Sequence, residues 1–222
     1  MRAALRYGAL ALALLVWVAG GLTAQDVREL DPLSPLESSD RRSVELILDS
    51  ARMVGLPTGP IESKALEGIS KRASGRQIVT VVRDVYRSLL RAQSSLGLRA
   101  SPSELTAGAN ALRVGITSVE LAHLASTRGS KDLTVPLVVL SDLVTRGVPR
   151  DPASQTIFQL WQRGAADDDF LGLWRGVERD IVSGTDPGIA LMNRAREVPS
   201  RGPPPTTPPA GDRPDDSENR NR

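Results

Sequence analysis

Residues 101–126 read SPSELTAGANALRVGITSVELAHLAS, and this stretch decides the fold class. Ser101 is a helix-capping residue, Pro102 takes the first helical position and Glu104 stands three after the cap. Side chain and backbone there satisfy each other's orphan amides. Thr117-Ser-Val-Glu120 repeats the capping box just after Gly115, so the spacing predicts helices over 102–114 and 118–128 joined by a short turn. Glu120-Leu-Ala-His123 also holds the one His of the chain.

Upstream, Ser74-Gly-Arg-Gln77 is a third capping box, and downstream Asp151-Pro152 and Asp186-Pro187 read as caps followed by an N-terminal Pro. No stretch alternates in the manner of a strand bounded by hairpin turns. Leu133 to Leu143 is rich in Val, but Pro136 would spoil an inner strand and is tolerated in a first helical turn. That segment is therefore a buried helix.

Three segments superpose when Arg72, Gly115 and Gly164 are made equivalent. Ile69, Leu112 and Trp161 then align before the marker, and Ile78, Leu121 and Phe170, followed by Val81, Leu124 and Leu173, align after it. A helix–turn–helix unit used three times accounts for this. The chain is thus expected to be all-α, with about nine helices at roughly 40–54, 60–73, 75–96, 102–114, 118–128, 132–146, 152–163, 167–183 and 187–197. The architecture is either a set of irregular helical-hairpin repeats or a compact orthogonal bundle, with disordered ends.

Residues 1–24 carry Arg2 and Arg6 and no acid, then an apolar run from Tyr7 to Ala19, then small residues up to Ala24. This is the layout of a cleavable signal peptide, with cleavage expected after Ala24. The apolar core is shorter than the roughly 20 residues a bilayer span needs, so no stable membrane span is expected after cleavage. Residues 25–39, with Pro32 and Pro35, read as a flexible lead-in to a helical domain over 40–198. From 199 to 222 the chain reads PSRGPPPTTPPAGDRPDDSENRNR, which has no large apolar side chain and is expected to be a disordered Pro-rich tail. Arg outnumbers Lys heavily, the Lys residues being Lys64, Lys71 and Lys131, a bias that goes with a bacterial genome of high GC content. The expected location is periplasmic or secreted.

Composition removes several function classes. The 222 residues include no Cys and one His, which excludes a disulfide scaffold, zinc ribbons, iron–sulfur ligation and a thiol nucleophile. Without the leader, 26 basic side chains face 26 acidic ones. The mature chain therefore lacks the positive footprint of phosphate-backbone binding, and no nucleic-acid partner is expected.

The remaining candidates have structural readings beside the functional ones. Glu120-Leu-Ala-His123 is an E-x-x-H, but di-iron chemistry needs the motif twice, and His123 aligns with Thr80 and Gly172. Asp167-Asp168-Asp169 lies at a helix start, where acids favour the macrodipole, and lacks a calcium-loop spacing. Trp161 and Trp174 align with aliphatic residues and read as packing, with an interface role as the alternative. In Gly55-Leu-Pro-Thr-Gly-Pro60, Gly55 ends a helix in the left-handed conformation and Gly59 opens the next. With Lys64 nearby, that loop is a candidate anion site, though it lacks the P-loop pattern. Asp84, Glu104, Asp142 and Glu178 are carboxylates that only the fold can bring together.

No catalytic, metal or cofactor-binding constellation emerges, and no cofactor is expected. The reading this favours is an exported, non-enzymatic envelope scaffold or adaptor acting through a protein-binding surface, with another envelope or secreted protein as partner and self-association left open. The alternatives are an envelope hydrolase whose carboxylates converge in the fold, and a carrier with an apolar groove between helices for a lipid or other small molecule.

Overall fold

Nine α-helices follow one another in the computed structural model, which describes residues 32–127, 129 and 131–199. They are α1 (Ser38–Met53), α2 (Gly59–Ser70), α3 (Gly75–Leu96), α4 (Pro102–Arg113), α5 (Ser118–Thr127), α6 (Thr134–Thr145), α7 (Arg150–Gln162), α8 (Asp167–Val182) and α9 (Pro187–Glu197). Among the described residues there is no strand, and the class is all-α. The leader expected over 1–24, most of the lead-in, and the tail beyond Pro199 lie outside the described residues.

The capping signals operate as their chemistry requires. Ser74 accepts from the Gln77 amide, Ser101 from the Glu104 amide at 3.1 Å, and Thr117 from the Glu120 amide at 3.2 Å. Each of the three acid or amide side chains in turn accepts from its cap amide. Asp186 accepts from the amides of Gly188 and Ile189, and Asp169 accepts from the Ala166 amide at 2.8 Å ahead of α8. The Asp151-Pro152 start is corrected: α7 begins at Arg150, with Pro149 in the cap position and Asp151 inside the first turn, paired with Arg150. The preceding turn sets this. Val148 donates to the Leu143 carbonyl and Ala153 to the Pro149 carbonyl, so the new helix is under way two residues early.

That turn recurs. At six helix ends a residue with positive φ is followed by one whose amide reaches back to the carbonyl five residues earlier, as Leu56 does to Ala51, Ala73 to Gly68, Ile116 to Ala111, Val148 to Leu143, Ala165 to Leu160 and Thr185 to Asp180. This is the long bond of a Schellman motif, and it satisfies carbonyls the helix end would otherwise orphan. Four of the residues that make it, Leu56, Ile116, Val148 and Ala165, are buried, so each of those turns also plugs the core. The markers Arg72, Gly115 and Gly164 that superpose the sequence segments are the positive-φ residues of three of these turns.

The repeated unit is therefore the turn, and the helices around it pack differently. α2 lies along α3 as a hairpin, whereas α4 packs on α3 and α6, and α5 folds back onto α3. α6 in turn receives α7 and α8, and α9 closes on α8 and α7. All of these principal packings join helices that are adjacent or next but one in the chain, the pattern of a sequential stack. One apolar cluster runs through it, from Val44 in α1 to Leu191 in α9.

Two joints are built from particular residues. Glu104, only 3% exposed, accepts the Ser101 amide on one carboxylate oxygen and the Leu133 amide, at 2.9 Å, on the other. One buried carboxylate thus caps α4 and anchors the start of α6. Gly108 lets α4 come close to α3, since a Cβ there would stand 2.8 Å from Leu96 Cδ1.

Candidate functional site

α3 is the longest helix, and its buried stripe runs Ile78, Val82, Val85, Leu89, Ala92 and Leu96. The edge of α3 that α4 and α5 leave uncovered forms a groove. Its main trough, about 790 Å³, is lined by Val81, Leu90, Arg87 and Arg91 of α3 and by Arg113 of α4. Sharing Leu90 and Arg91, it continues along α3 to Ser94 and to Val119 and Ala122 of α5. Sharing Arg113, it also continues to Val138 and Asp142 of α6. Val81 is 38% exposed, Val119 78% and Val138 42%, so aliphatic side chains face solvent along its whole length.

The charge in the groove is uneven. Arg87 is paired with Asp84 at 3.5 Å, which neutralises one cation. Arg91 only donates to the Ser88 hydroxyl, at 3.4 Å, and neither it nor Arg113 has an ion pair with another described residue. Arg76 and Arg83 extend the basic side of α3 at helical spacing, both exposed. Asp142 sits alone at the α6 end. The α3 half is cationic and the far end carries one carboxylate.

The residues marked in the sequence sit elsewhere. Gly55 has φ +71° in the turn after α1, and Gly59 opens α2 with open space where a Cβ would stand. Lys64 does not point to that helix start. Its ammonium donates to Glu67 at 2.6 Å, and Lys71 donates to the other oxygen of Glu67, also at 2.6 Å. These hydrogen bonds from Lys64 and Lys71 draw the Glu67 carboxyl down to about 2. The α2 start keeps few amides for a ligand, because Pro60 has none and Ile61 and Glu62 donate to the Thr58 carbonyl.

Trp161 is 5% exposed with the Lys131 ammonium 5.5 Å over its ring. Trp174 is half-buried under Arg146, which also pairs with Glu178 at 2.7 Å. Both rings belong to the packing between helices, and neither lines the groove. His123 is exposed on α5 and meets Phe158 edge-on at 6.0 Å. Burial pushes its neighbour Glu120 up, but hydrogen bonds from the Thr117 amide and hydroxyl outweigh it and leave the carboxyl below its usual range. Of the four scattered acids, Glu104 is a cap and Glu178 is paired with Arg146, while Asp84 and Asp142 lie at different ends of the groove. Among the described residues no group of three or more His, Asp or Glu can hold a metal ion, and no helix is long and apolar enough to cross a membrane.

A second depression, about 370 Å³, lies between α8 and α9. Three acids and three arginines line it, with Arg194 held by Asp180 at 2.7 Å and by Glu197 at 2.9 Å. The groove on α3 differs in bordering its cations with exposed aliphatics. Sequence reasoning did not single out Arg91, Arg113, Val119 or Val138. One signal was available: Arg76, Arg83, Arg87 and Arg91 recur at helical spacing on one side of α3, opposite its apolar stripe. Val81 is the other departure. It aligns with the core residues Leu124 and Leu173, yet α3 turns Val82 inward and leaves Val81 on the groove wall.

Comparisons with protein-family models, with curated proteins and with solved structures find no match to this chain.

Proposed function

We propose that the protein is an exported, non-enzymatic helical adaptor or scaffold of the cell envelope, and that it binds a partner protein through the groove on α3–α6. The observation that carries this reading is that three neighbouring depressions share lining residues across α3–α6. Exposed Val81, Val119 and Val138, recessed Leu90 and unpaired Arg91 and Arg113 lie on one surface contributed by four helices. Apolar contact area edged by Arg is the composition of an interface core and rim. A sequential helix stack supports the same reading, because stacked helices commonly present extended binding surfaces. Export and a periplasmic or secreted destination rest on the charged, apolar and small-residue layout of residues 1–24.

The test is quantitative co-purification of the full chain from its own cells. Wild type is compared with Val119→Asp, with Arg113→Glu and with a chain ending at Pro199. The adaptor reading expects one partner at near-stoichiometric yield, depleted in both groove variants. Recovery of the protein alone, or equal partner yield from the groove variants, contradicts it. Loss of the partner on removing 200–222 alone would move the contact to the tail.

A further inference from the structure

We infer that the groove takes an acidic, amphipathic segment of the partner protein, its carboxylates meeting Arg91 and Arg113 and its aliphatic side chains meeting Leu90 and Val119. This rests on the adaptor reading above and specifies the chemistry of its partner.

Three guanidinium groups edge the trough, and among the described residues only Arg87 is paired with a carboxylate. Arg91 and Arg113 belong to different helices and line the same trough without an ion pair to another described residue. Guanidinium is weakly hydrated and presents a planar fork, so carboxylates brought between these two gain charge-assisted hydrogen bonds at low desolvation cost. The apolar half is as specific. Leu90 lines both the trough and its extension, and Val119 and Ala122 continue the aliphatic surface across to α5. A ligand with charge alone would leave those side chains wet, and one with apolar groups alone would cover two cations without pairing them.

An anionic membrane is the competing polyanion, and the shape speaks against it. Leu90 is half-buried in a depression, and the face lacks the large protruding aromatics and leucines by which interfacial helices anchor. A peptide side chain can enter that depression, whereas a bilayer surface cannot. Asp142 at the α6 end adds direction, since a base in the segment would favour that end.

The experiment measures fluorescence anisotropy of a labelled peptide of Glu and Leu at helical spacing, titrated with the full chain at low and moderate salt. Three controls accompany it: the same peptide with Lys for Glu, a Glu–Ser peptide without Leu, and phosphatidylglycerol vesicles. The inference expects saturable binding of the Glu–Leu peptide that weakens with salt. It expects a loss of about ten-fold or more in Arg91→Glu/Arg113→Glu, and little change in Arg196→Glu, an exposed position of α9. Val119→Ser, at a side chain too exposed to affect folding, should weaken binding without altering the salt slope. The inference is overturned by absence of saturable binding, by equal binding of the Lys peptide, or by unchanged affinity in the groove variants. It is also overturned if only vesicles bind and the double variant abolishes that. None of these outcomes decides whether the groove holds a protein in the cell, so the adaptor reading stands or falls on the co-purification.

Discussion

Arg72 occupies the left-handed conformation, at φ +56°, that glycine holds at the other five Schellman ends. A side chain there costs roughly 1–2 kcal/mol, partly offset by the smaller unfolded-state freedom of a non-Gly residue. Arg72→Gly is therefore expected to raise stability by about 1 kcal/mol, and Gly115→Ala, at φ +100°, to lower it by about the same amount, both read from urea midpoints at constant m. Glu104 is the residue whose loss does most damage outside the apolar core. Glu104→Ala strips the acceptor from the amides of Ser101 and Leu133 in a buried site and should cost about 3 kcal/mol, with Glu104→Gln costing less because one acceptor remains. Capping roles of this kind are legible from spacing, because the cap and its acid are three residues apart. The second function of Glu104 is not, since Leu133 lies 29 residues away and only packing brings it near.

At the level of the element, α2 shows how a local network titrates. Glu67 accepts from Lys64 and Lys71, and its carboxyl stands at about 2 in the folded chain against an ordinary 4.5. The folded state therefore binds fewer protons than the unfolded state between these values, and the stability this gives α2 is present above pH 4.5 and is lost as pH falls towards 2. Asp180, lowered by the hydrogen bond from Arg194, acts in the same direction between α8 and α9. Glu67→Gln should flatten the acid limb of a stability–pH curve measured by urea unfolding and lower its neutral plateau by the same amount, which is small because the pair is exposed. α3 depends on packing instead. Leu89→Ala in its buried stripe should cost about 2–5 kcal/mol. The starts of α3, α4, α5 and α9 were legible because a capping side chain precedes each, and most helix ends because a left-handed turn residue follows. Which of Val81 and Val82 enters the core was not, because both are compatible with a helical stripe and the choice depends on how α1, α4 and α5 surround α3.

For the whole molecule, sequential packing has consequences of its own. Helices that pack chiefly on near neighbours in the chain share stability locally. Leu191→Ala in α9 should accelerate amide hydrogen exchange in α7–α9 while leaving the protection of α1–α3 unchanged, and a uniform loss of protection would contradict a stacked arrangement. The same arrangement explains why the site was hidden. Arg91, Arg113, Val119 and Val138 come from four helices, and no pair of them forms a motif at fixed spacing. What sequence patterning carries is the side of each helix that turns inward. A groove is made of the sides left over, and its identity needs the order of packing.

The central claim, that this groove is the working surface, is tested most directly by site-specific photo-crosslinking in the intact cell of origin. A benzophenone side chain is placed in turn at Ser94, Val119 and Val138 in the groove, and at Met53 and Val182, which are highly exposed and outside it. The account predicts one shared partner adduct from the three groove positions and none from the other two. Adducts from Met53 and Val182 alone, or no adduct from any groove position, would contradict it.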